Sequence, residues 1–243
     1  MSTEARPAFY ALGPGGWRDY VTLLHPPYTL WHLSYVAIGA GLAPRLDWGV
    51  LGLTLLAFLL AMGIGAHALD ELNGRPLQTA IPDRALWSLA ALSIAAAAAI
   101  GVLVAVDRDL WLLAFVGFGA FIVVAYNLEL FGGRFHSDLW FGLAWGGFPL
   151  LTASFAVAGR VRADAAVAAA FATLLSLAQR TLSTQVRTVR RRVTSVSGSI
   201  EHADGRTETL DRDALVGTPE RALKLLAAAT VTLGAALLVR HLL

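Results

Sequence analysis

The strongest constraint in this sequence is a series of long apolar stretches that contain few or no charged residues. A helix of about 20 apolar residues crosses the hydrocarbon core of a bilayer, where the backbone must satisfy its own hydrogen bonds. We predict seven such helices, at residues 27–43, 48–69, 85–106, 110–130, 139–159, 165–182 and 222–240. With 56% hydrophobic and only 15% charged residues, the composition excludes a soluble domain, a disordered chain and a nucleic-acid-binding arm.

These stretches predict an all-α fold, a polytopic transmembrane bundle of about seven helices. Residues 1–24 would form a cytoplasmic N-terminal segment, and residues 25–243 a single transmembrane domain with a polar cytoplasmic insertion at 183–219. Within that insertion, Asp204-Gly205 lies between β-prone residues, which indicates a short hairpin; a mobile loop is the alternative. Thr218-Pro219-Glu220 is typical of a helix start, so we expect the last helix to begin there.

The distribution of basic residues predicts the orientation of the bundle. With seven spans, all but five of the 19 Lys and Arg residues fall on the same side as the N-terminus. Because loops on the cytoplasmic side are enriched in Lys and Arg, we expect a cytoplasmic N-terminus, in a bacterial inner membrane. The chain has no Cys, which excludes disulfides, thiolate metal sites and cysteine nucleophiles.

Charged residues close the second predicted span. His67, Asp70 and Glu71, followed by Gly74, are spaced to share one face of a continuing helix. Carboxylates grouped in this way can hold Mg²⁺, and His67 with Glu71 could instead ligate a softer metal. The alternative is an ordinary acidic helix end above a turn that contains Arg75.

Two further polar clusters lie at span ends on the same predicted side. Tyr126, Asn127 and Glu129, followed by Arg134, end the fourth span, where they would bind a polar head group or anchor the helix at the interface. A polar stripe ends the sixth span, at Ser176, Arg180, Ser183, Arg187 and Arg190. Its arginines would clamp an anion with paired hydrogen bonds or attract anionic lipid head groups.

In this order and spacing, the motifs resemble the UbiA-type intramembrane prenyltransferase superfamily over roughly residues 15–235. Four features carry the resemblance: the entry Trp17 to Pro26, the acidic stretch Asp70 to Leu77, the Tyr-containing end of the fourth helix at Tyr126, and the Gly-rich helix around Gly142 to Pro149. The resemblance implies transfer of a prenyl group from an isoprenoid diphosphate to a small or aromatic acceptor. It also implies two Asp-rich motifs that bind the diphosphate through Mg²⁺.

The sequence departs from that family pattern at three points. The first Asp-rich motif is reduced to Asp70 and Glu71. The second is expected near the end of the sixth span, where residues 179–187 contain no acid. Family members usually have nine helices, so the bundle would be incomplete, or would be completed by another copy of this chain or by another chain.

Two functions follow from this comparison. The first is a divergent UbiA-like prenyltransferase that binds membrane lipid and an isoprenoid diphosphate. Asp70 and Glu71 would be catalytic and hold Mg²⁺, while the substrate-binding residues would be His67, Arg75, Tyr126, Asn127, Arg134, Arg180 and Arg187. The second is a non-catalytic lipid-binding or assembly subunit of a membrane complex. The enzyme hypothesis requires Asp70, Tyr126 and Arg180 to converge on one cavity.

Overall fold

The computed structural model describes residues 7–243, and in this range the chain forms eight helices and one two-stranded sheet. The helices are α1 (Trp17–Leu23), α2 (Pro26–Gly41), α3 (Trp48–Leu72), α4 (Asp83–Asp107), α5 (Leu112–Asn127), α6 (Asp138–Ala158), α7 (Ala163–Arg192) and α8 (Arg212–Val239). The strands are β1 (Ser199–Glu201) and β2 (Thr207–Thr209). The all-helical prediction is therefore confirmed, with the small sheet in the polar segment.

Five helices of the described chain are long and apolar enough to cross a membrane: α3, α4, α6, α7 and α8. Large apolar side chains on their outer faces are exposed, for example Leu103 on α4 and Val167 on α7. Apolar surface of this extent suits contact with lipid tails rather than water. The predicted spans 27–43 and 110–130 correspond to α2 and α5, which have 16 residues each. The count of seven spans stays a prediction.

The helices pack closely because small residues lie where they cross. α3 contacts α2, α4, α5 and α6, while α2 lies against both α6 and α8. A Cβ atom added at Gly39 on α2 would lie 2.1 Å from the carbonyl oxygen of Leu150 on α6. A Cβ atom added at Gly146 on α6 would lie 2.5 Å from the carbonyl oxygen of Ala172 on α7. Helices in lipid associate largely through such close backbone contact.

Two helices contain π-helical segments, at Leu59–Ala66 in α3 and at Leu143–Gly147 in α6. A π-helical turn adds a residue to the helical repeat, so it shifts the direction of the side chains that follow and alters which carbonyls are bonded. His67 begins the α-helical end of α3 directly after the first segment, and Trp145 lies within the second.

The polar insertion has narrower limits than residues 183–219, because α7 continues to Arg192 and α8 already begins at Arg212. Asp211 caps α8 through a hydrogen bond that its carboxylate accepts from the Ala214 N–H at 2.8 Å. The expected start at Thr218-Pro219 is wrong, since Pro219 lies inside the helix. The hairpin is confirmed: β1 and β2 pair antiparallel.

Residues 7–24 pack against the helix bundle through a buried carboxylate. The Asp19 side chain accepts a hydrogen bond from the Gly15 N–H at 3.0 Å and another from the Ala80 N–H at 2.9 Å. These bonds tie the entry segment to the loop between α3 and α4. The first six residues of the predicted N-terminal segment lie outside the described range.

Candidate functional site

A polar cavity of about 350 Å³ lies where α3 and α5 end and α2 begins. The start of α6 and the second half of α7 complete its walls, and residues 7–10 border it. Its polar lining side chains are Tyr10, His25, Tyr28, His32, His67, Asp70, Tyr126, Asn127, His136, Gln179, Arg180, Ser183, Thr184, Arg187, Thr188, Arg191 and Arg192. Six elements distant in sequence thus contribute to one polar site.

Most of the site residues predicted from the sequence line this cavity: His67, Asp70, Tyr126, Asn127, Arg180 and Arg187. Asp70, Tyr126 and Arg180, whose convergence the enzyme hypothesis requires, are among them. The walls that carry them come from the ends of α3 and α5 and from α7, the three helices whose polar ends the sequence indicated. Their catalytic and binding roles stay predictions.

Glu71 lies outside the cavity, although it directly follows Asp70. Its side chain is fully buried, and its carboxylate accepts hydrogen bonds from the Leu77 N–H at 2.9 Å and the Thr79 N–H at 2.8 Å. The Thr79 hydroxyl donates a third bond at 2.9 Å. These bonds give Glu71 a clear task in holding the loop after α3.

Arg75 and Arg134 also lie away from the cavity lining. The Arg75 guanidinium donates to the Ile81 carbonyl oxygen at 2.6 Å and pairs with Asp83. It therefore closes the same loop that Glu71 holds from inside. Arg134 lies on the turn between α5 and α6, and its side chain is exposed.

Arg180 is fixed at the cavity wall by three aromatic or acidic neighbours. It donates a hydrogen bond to the Tyr126 hydroxyl oxygen at 2.6 Å and forms an ion pair with Asp138. Its guanidinium carbon lies 5.0 Å from the centroid of the Phe141 ring. Contacts of this kind orient a guanidinium while leaving some of its five N–H donors free for a ligand.

The charge of the cavity wall is strongly positive. Arg180, Arg187, Arg191 and Arg192 line it, whereas Asp70 is the only carboxylate there among the described residues. Arg191 also donates to the Pro7 carbonyl oxygen at 3.2 Å, which fastens the entry segment over the site. Such a concentration of guanidinium groups favours an anionic ligand.

Arg190 does not line the cavity, unlike the next residue on α7, Arg191. It forms a two-bond ion pair with Glu220 on α8, with N–O distances of 2.5 and 3.0 Å. The run Arg190-Arg191-Arg192 therefore divides between a helix contact and the cavity wall.

Three histidines occupy the part of the cavity nearest the bundle interior. The rings of His25 and His67 stack with their centroids 4.0 Å apart, and Tyr10 bonds to His25 Nδ1 at 2.7 Å. Burial lowers the pKa of His25 well below its ordinary value of 6.5, and the nearby His67 and Arg191 act in the same direction. His32 on α2 completes the group, and its side chain is buried.

An apolar cavity of about 100 Å³ lies between α3, α4, α5 and α6. Its wall contains aliphatic and aromatic side chains, including Ile94, Val116 and Phe148. A third space of about 10 Å³ lies between the two cavities. We term this space the throat, because its wall shares residues with both cavities. Phe58 and Met62 also line the apolar cavity, His32 and His67 also line the polar cavity, and Trp145 lines both.

The described residues contain no group of three or more His, Asp or Glu side chains arranged to hold a metal ion. Asp70 has an open carboxylate at the cavity, and Mg²⁺ can be held by one or two carboxylates together with substrate phosphates and water. The donor set therefore fits Mg²⁺ only as an ion shared between Asp70 and a bound phosphate.

Several cavity residues were not predicted from the sequence, among them Tyr10, His32, Gln179 and Arg191. His32 carried a signal, because an ionisable side chain within an apolar helix marks a functional position. Gln179 has a buried side-chain oxygen without a partner in the described chain, which only the fold reveals.

Together, the long apolar helices and the two cavities indicate a helical membrane protein with a polar cavity beside an apolar one. Comparison with protein families, curated proteins and solved structures found no match for this chain.

Proposed function

We propose that this protein binds an isoprenoid diphosphate and transfers its prenyl group to an acceptor, as the resemblance to UbiA-type prenyltransferases implies. The observation that carries the proposal is the arrangement of a cationic cavity, a throat and an apolar cavity, with Trp145 lining all three. A ligand with an anionic head and a long apolar tail matches this sequence of environments. Membrane lipid would surround the site.

The arginines supply the recognition of the head group in this proposal. Arg180 and Arg187 donate to the diphosphate oxygens, and charge-assisted bonds of this kind are roughly twice as strong as neutral ones. Tyr126 and Asn127 bound the same space. The allylic chain extends past Trp145 into the apolar cavity, where Met62 must move because the throat has room for about one water molecule.

The chemistry follows from charge separation at this boundary. The C1–O bond of the donor breaks, and its electron pair leaves on the diphosphate, whose added charge the arginines stabilise. The allylic cation lies beside the rings of Trp145 and Tyr126, whose centroids are 4.4 Å apart. Exclusion of bulk water by the surrounding helices protects the cation until the acceptor attacks C1.

Mg²⁺ forms part of the proposal through Asp70 alone. When bound, the ion supplies further neutralisation of the leaving diphosphate. Asp70 would hold it from the end of α3, and the loop-holding bonds of Glu71 keep that helix end in place. The residues themselves bind and orient the donor and exclude water.

The test is donor binding and turnover by the full chain in lipid nanodiscs. We expect a C15 or C20 allylic diphosphate to bind, and Arg187→Gln to weaken binding by about 10-fold or more, given about 1.5–3 kcal/mol for a bond to a charged group. Arg206→Gln, on the exposed hairpin, is the matched control and leaves binding unchanged. Equal affinities of Arg187→Gln and wild type would refute the assigned cavity.

Turnover decides between the two functions derived from the sequence. The enzyme releases diphosphate, and Asp70→Asn and EDTA both slow that release. A non-catalytic lipid-binding or assembly subunit releases none. The single carboxylate at the cavity favours this second candidate, since it leaves one protein ligand for a metal ion.

A further inference from the structure

The two π-helical segments each present a backbone carbonyl to a histidine at the throat. His67 Nδ1 lies 3.1 Å from the carbonyl oxygen of Gly63, in the π segment of α3. His32 Nδ1 lies 2.8 Å from that of Trp145, in the π segment of α6. π-helical turns occur frequently at functional sites, and here both act on the same small space.

These contacts fix the tautomer of both rings. A carbonyl oxygen only accepts hydrogen bonds, so Nδ1 carries the proton on each ring, and in neutral imidazole Nε2 is left as an acceptor. Neither Nε2 atom has a hydrogen-bond partner among the described residues. A histidine whose Nδ1–H is held by a carbonyl is oriented for work at its other nitrogen.

The Nε2 atoms of His32 and His67 are both hydrogen-bond acceptors at the throat, and this restricts the kind of ligand group that can bind there. A phosphate oxygen is itself an acceptor and would be repelled by both lone pairs, so the donor's head group belongs on the arginine side of the cavity. A hydroxyl group can donate to an imidazole nitrogen. The throat is also where the allylic C1 lies in the proposed function, between the anionic head and the apolar tail.

We propose that His32 and His67 form a hydroxyl-binding site at the throat, and that His67 is the base of the transfer reaction. This inference rests on the proposed function. His67 Nε2 accepts a hydrogen bond from the reacting hydroxyl and takes its proton, and His32 Nε2 accepts from a second O–H of the acceptor, which water or a diol supplies. Asp70 lies one helical turn after His67 on the same cavity wall.

The step balances without any further reagent. The C1–O bond of the donor has broken with its electron pair on the diphosphate. The acceptor oxygen then forms a bond to C1 while its O–H bond breaks and the proton moves to His67 Nε2. The proton passes on to the diphosphate, which restores the neutral imidazole. An organic hydroxyl gives a prenyl ether, and water gives a prenyl alcohol.

The decisive variant is His67→Asn in the full chain in nanodiscs. The Asn amide keeps an N–H near the position of Nδ1, so the bond to Gly63 is retained, while the base at Nε2 is removed. General-base catalysis contributes about 10²- to 10⁴-fold, so we expect product formation to fall by at least about 100-fold. His32→Asn is expected to raise the KM for the acceptor. His202→Asn, on the hairpin, is the matched control.

Three measurements separate the outcomes. Product is identified by mass spectrometry with an allylic C20 diphosphate and catechol, which has two adjacent hydroxyl groups, in ¹⁸O-labelled water. The label distinguishes the ether from the alcohol. Affinity for a non-hydrolysable thio-analogue of the donor is measured in parallel, with the melting temperature of each variant as the folding check. We expect the affinity of His67→Asn to stay within about 3-fold of wild type, since its contact is with the acceptor.

Each result then bears on one claim. Loss of product with donor affinity retained supports the site. A folded His67→Asn variant that forms product at the wild-type rate overturns it, and so does a wild type that binds the analogue but forms neither product. A wild type that does not bind the analogue refutes the proposed function instead.

Discussion

Asp70 and Glu71 are adjacent in the sequence, and the structure predicts that changing each carboxylate to its amide will impair a different property of the protein. Asp70 faces the cavity, whereas Glu71 is fully buried and accepts three hydrogen bonds from Leu77 and Thr79. We expect Asp70→Asn to impair donor turnover with little effect on the loop. We expect Glu71→Gln to release the loop.

The magnitude follows from the bonds of Glu71. The Gln amide replaces one accepting oxygen with an NH₂ group, which then faces an N–H donor. Loss of one charge-assisted bond and the unpaired donors that result cost about 2–4 kcal/mol. The amide-exchange protection of Leu77 and Thr79 should therefore fall roughly 30- to 1000-fold, because each 1.4 kcal/mol is a factor of ten.

The assay is hydrogen exchange of the chain in nanodiscs, resolved on peptides that cover residues 73–82. Asp70→Asn is the matched comparison, since it makes the same chemical change one residue earlier. A Glu71→Gln variant that leaves the exchange of Leu77 and Thr79 unchanged while it abolishes donor binding would refute the loop-holding role of Glu71. That result would indicate that Glu71 acts as a ligand at the cavity and does not hold the loop.

Three further predictions concern packing and charge. Gly39→Ala places a Cβ 2.1 Å from the Leu150 carbonyl oxygen and should destabilise the bundle by about 1–3 kcal/mol, whereas Gly117→Ala, with open space around it, should be neutral or stabilising in unfolding assays. Because the folded-state pKa of His25 is lowered, its unfolded form binds the proton first, so stability should fall as pH drops below about 6.5. The free energy of unfolding should lose up to about 1.4 kcal/mol per pH unit from this group, and His25→Gln should reduce the slope by that amount. Arg190→Lys should cost about 1–3 kcal/mol, since it breaks the two-bond ion pair between α7 and α8, and an unchanged melting temperature would contradict this.

The helices could be predicted from the sequence because a bilayer imposes long apolar stretches. The described helices follow the predicted spans to within a few residues at most ends. The start of α8 could not be placed, because the Thr218-Pro219-Glu220 pattern competes with the cap at Asp211, and the described helix accommodates Pro219. The helix-start preference of three residues contributes less to where a helix begins than the packing of the whole helix does.

The candidate site was predictable only in part. Polar residues at the ends of apolar helices mark Asp70, Tyr126 and Arg180, because such groups are costly near a membrane. Spacing alone put Glu71 on the same face as His67, but burial and the loop hydrogen bonds give it a different position. The π segments set the contacts of the throat histidines, and no sequence pattern indicated them.

The central claim is that one amphipathic ligand occupies both cavities through the throat. The most direct measurement is photo-crosslinking with an allylic diphosphate that carries a diazirine near the end of its chain, followed by mapping of the labelled peptides. The account predicts labels on residues that line the apolar cavity, such as Ile94, Val116 and Phe148, and their loss when excess unlabelled donor competes. Labels on the lipid-facing residues Val167 and Leu174 of α7, unaffected by competition, would contradict it.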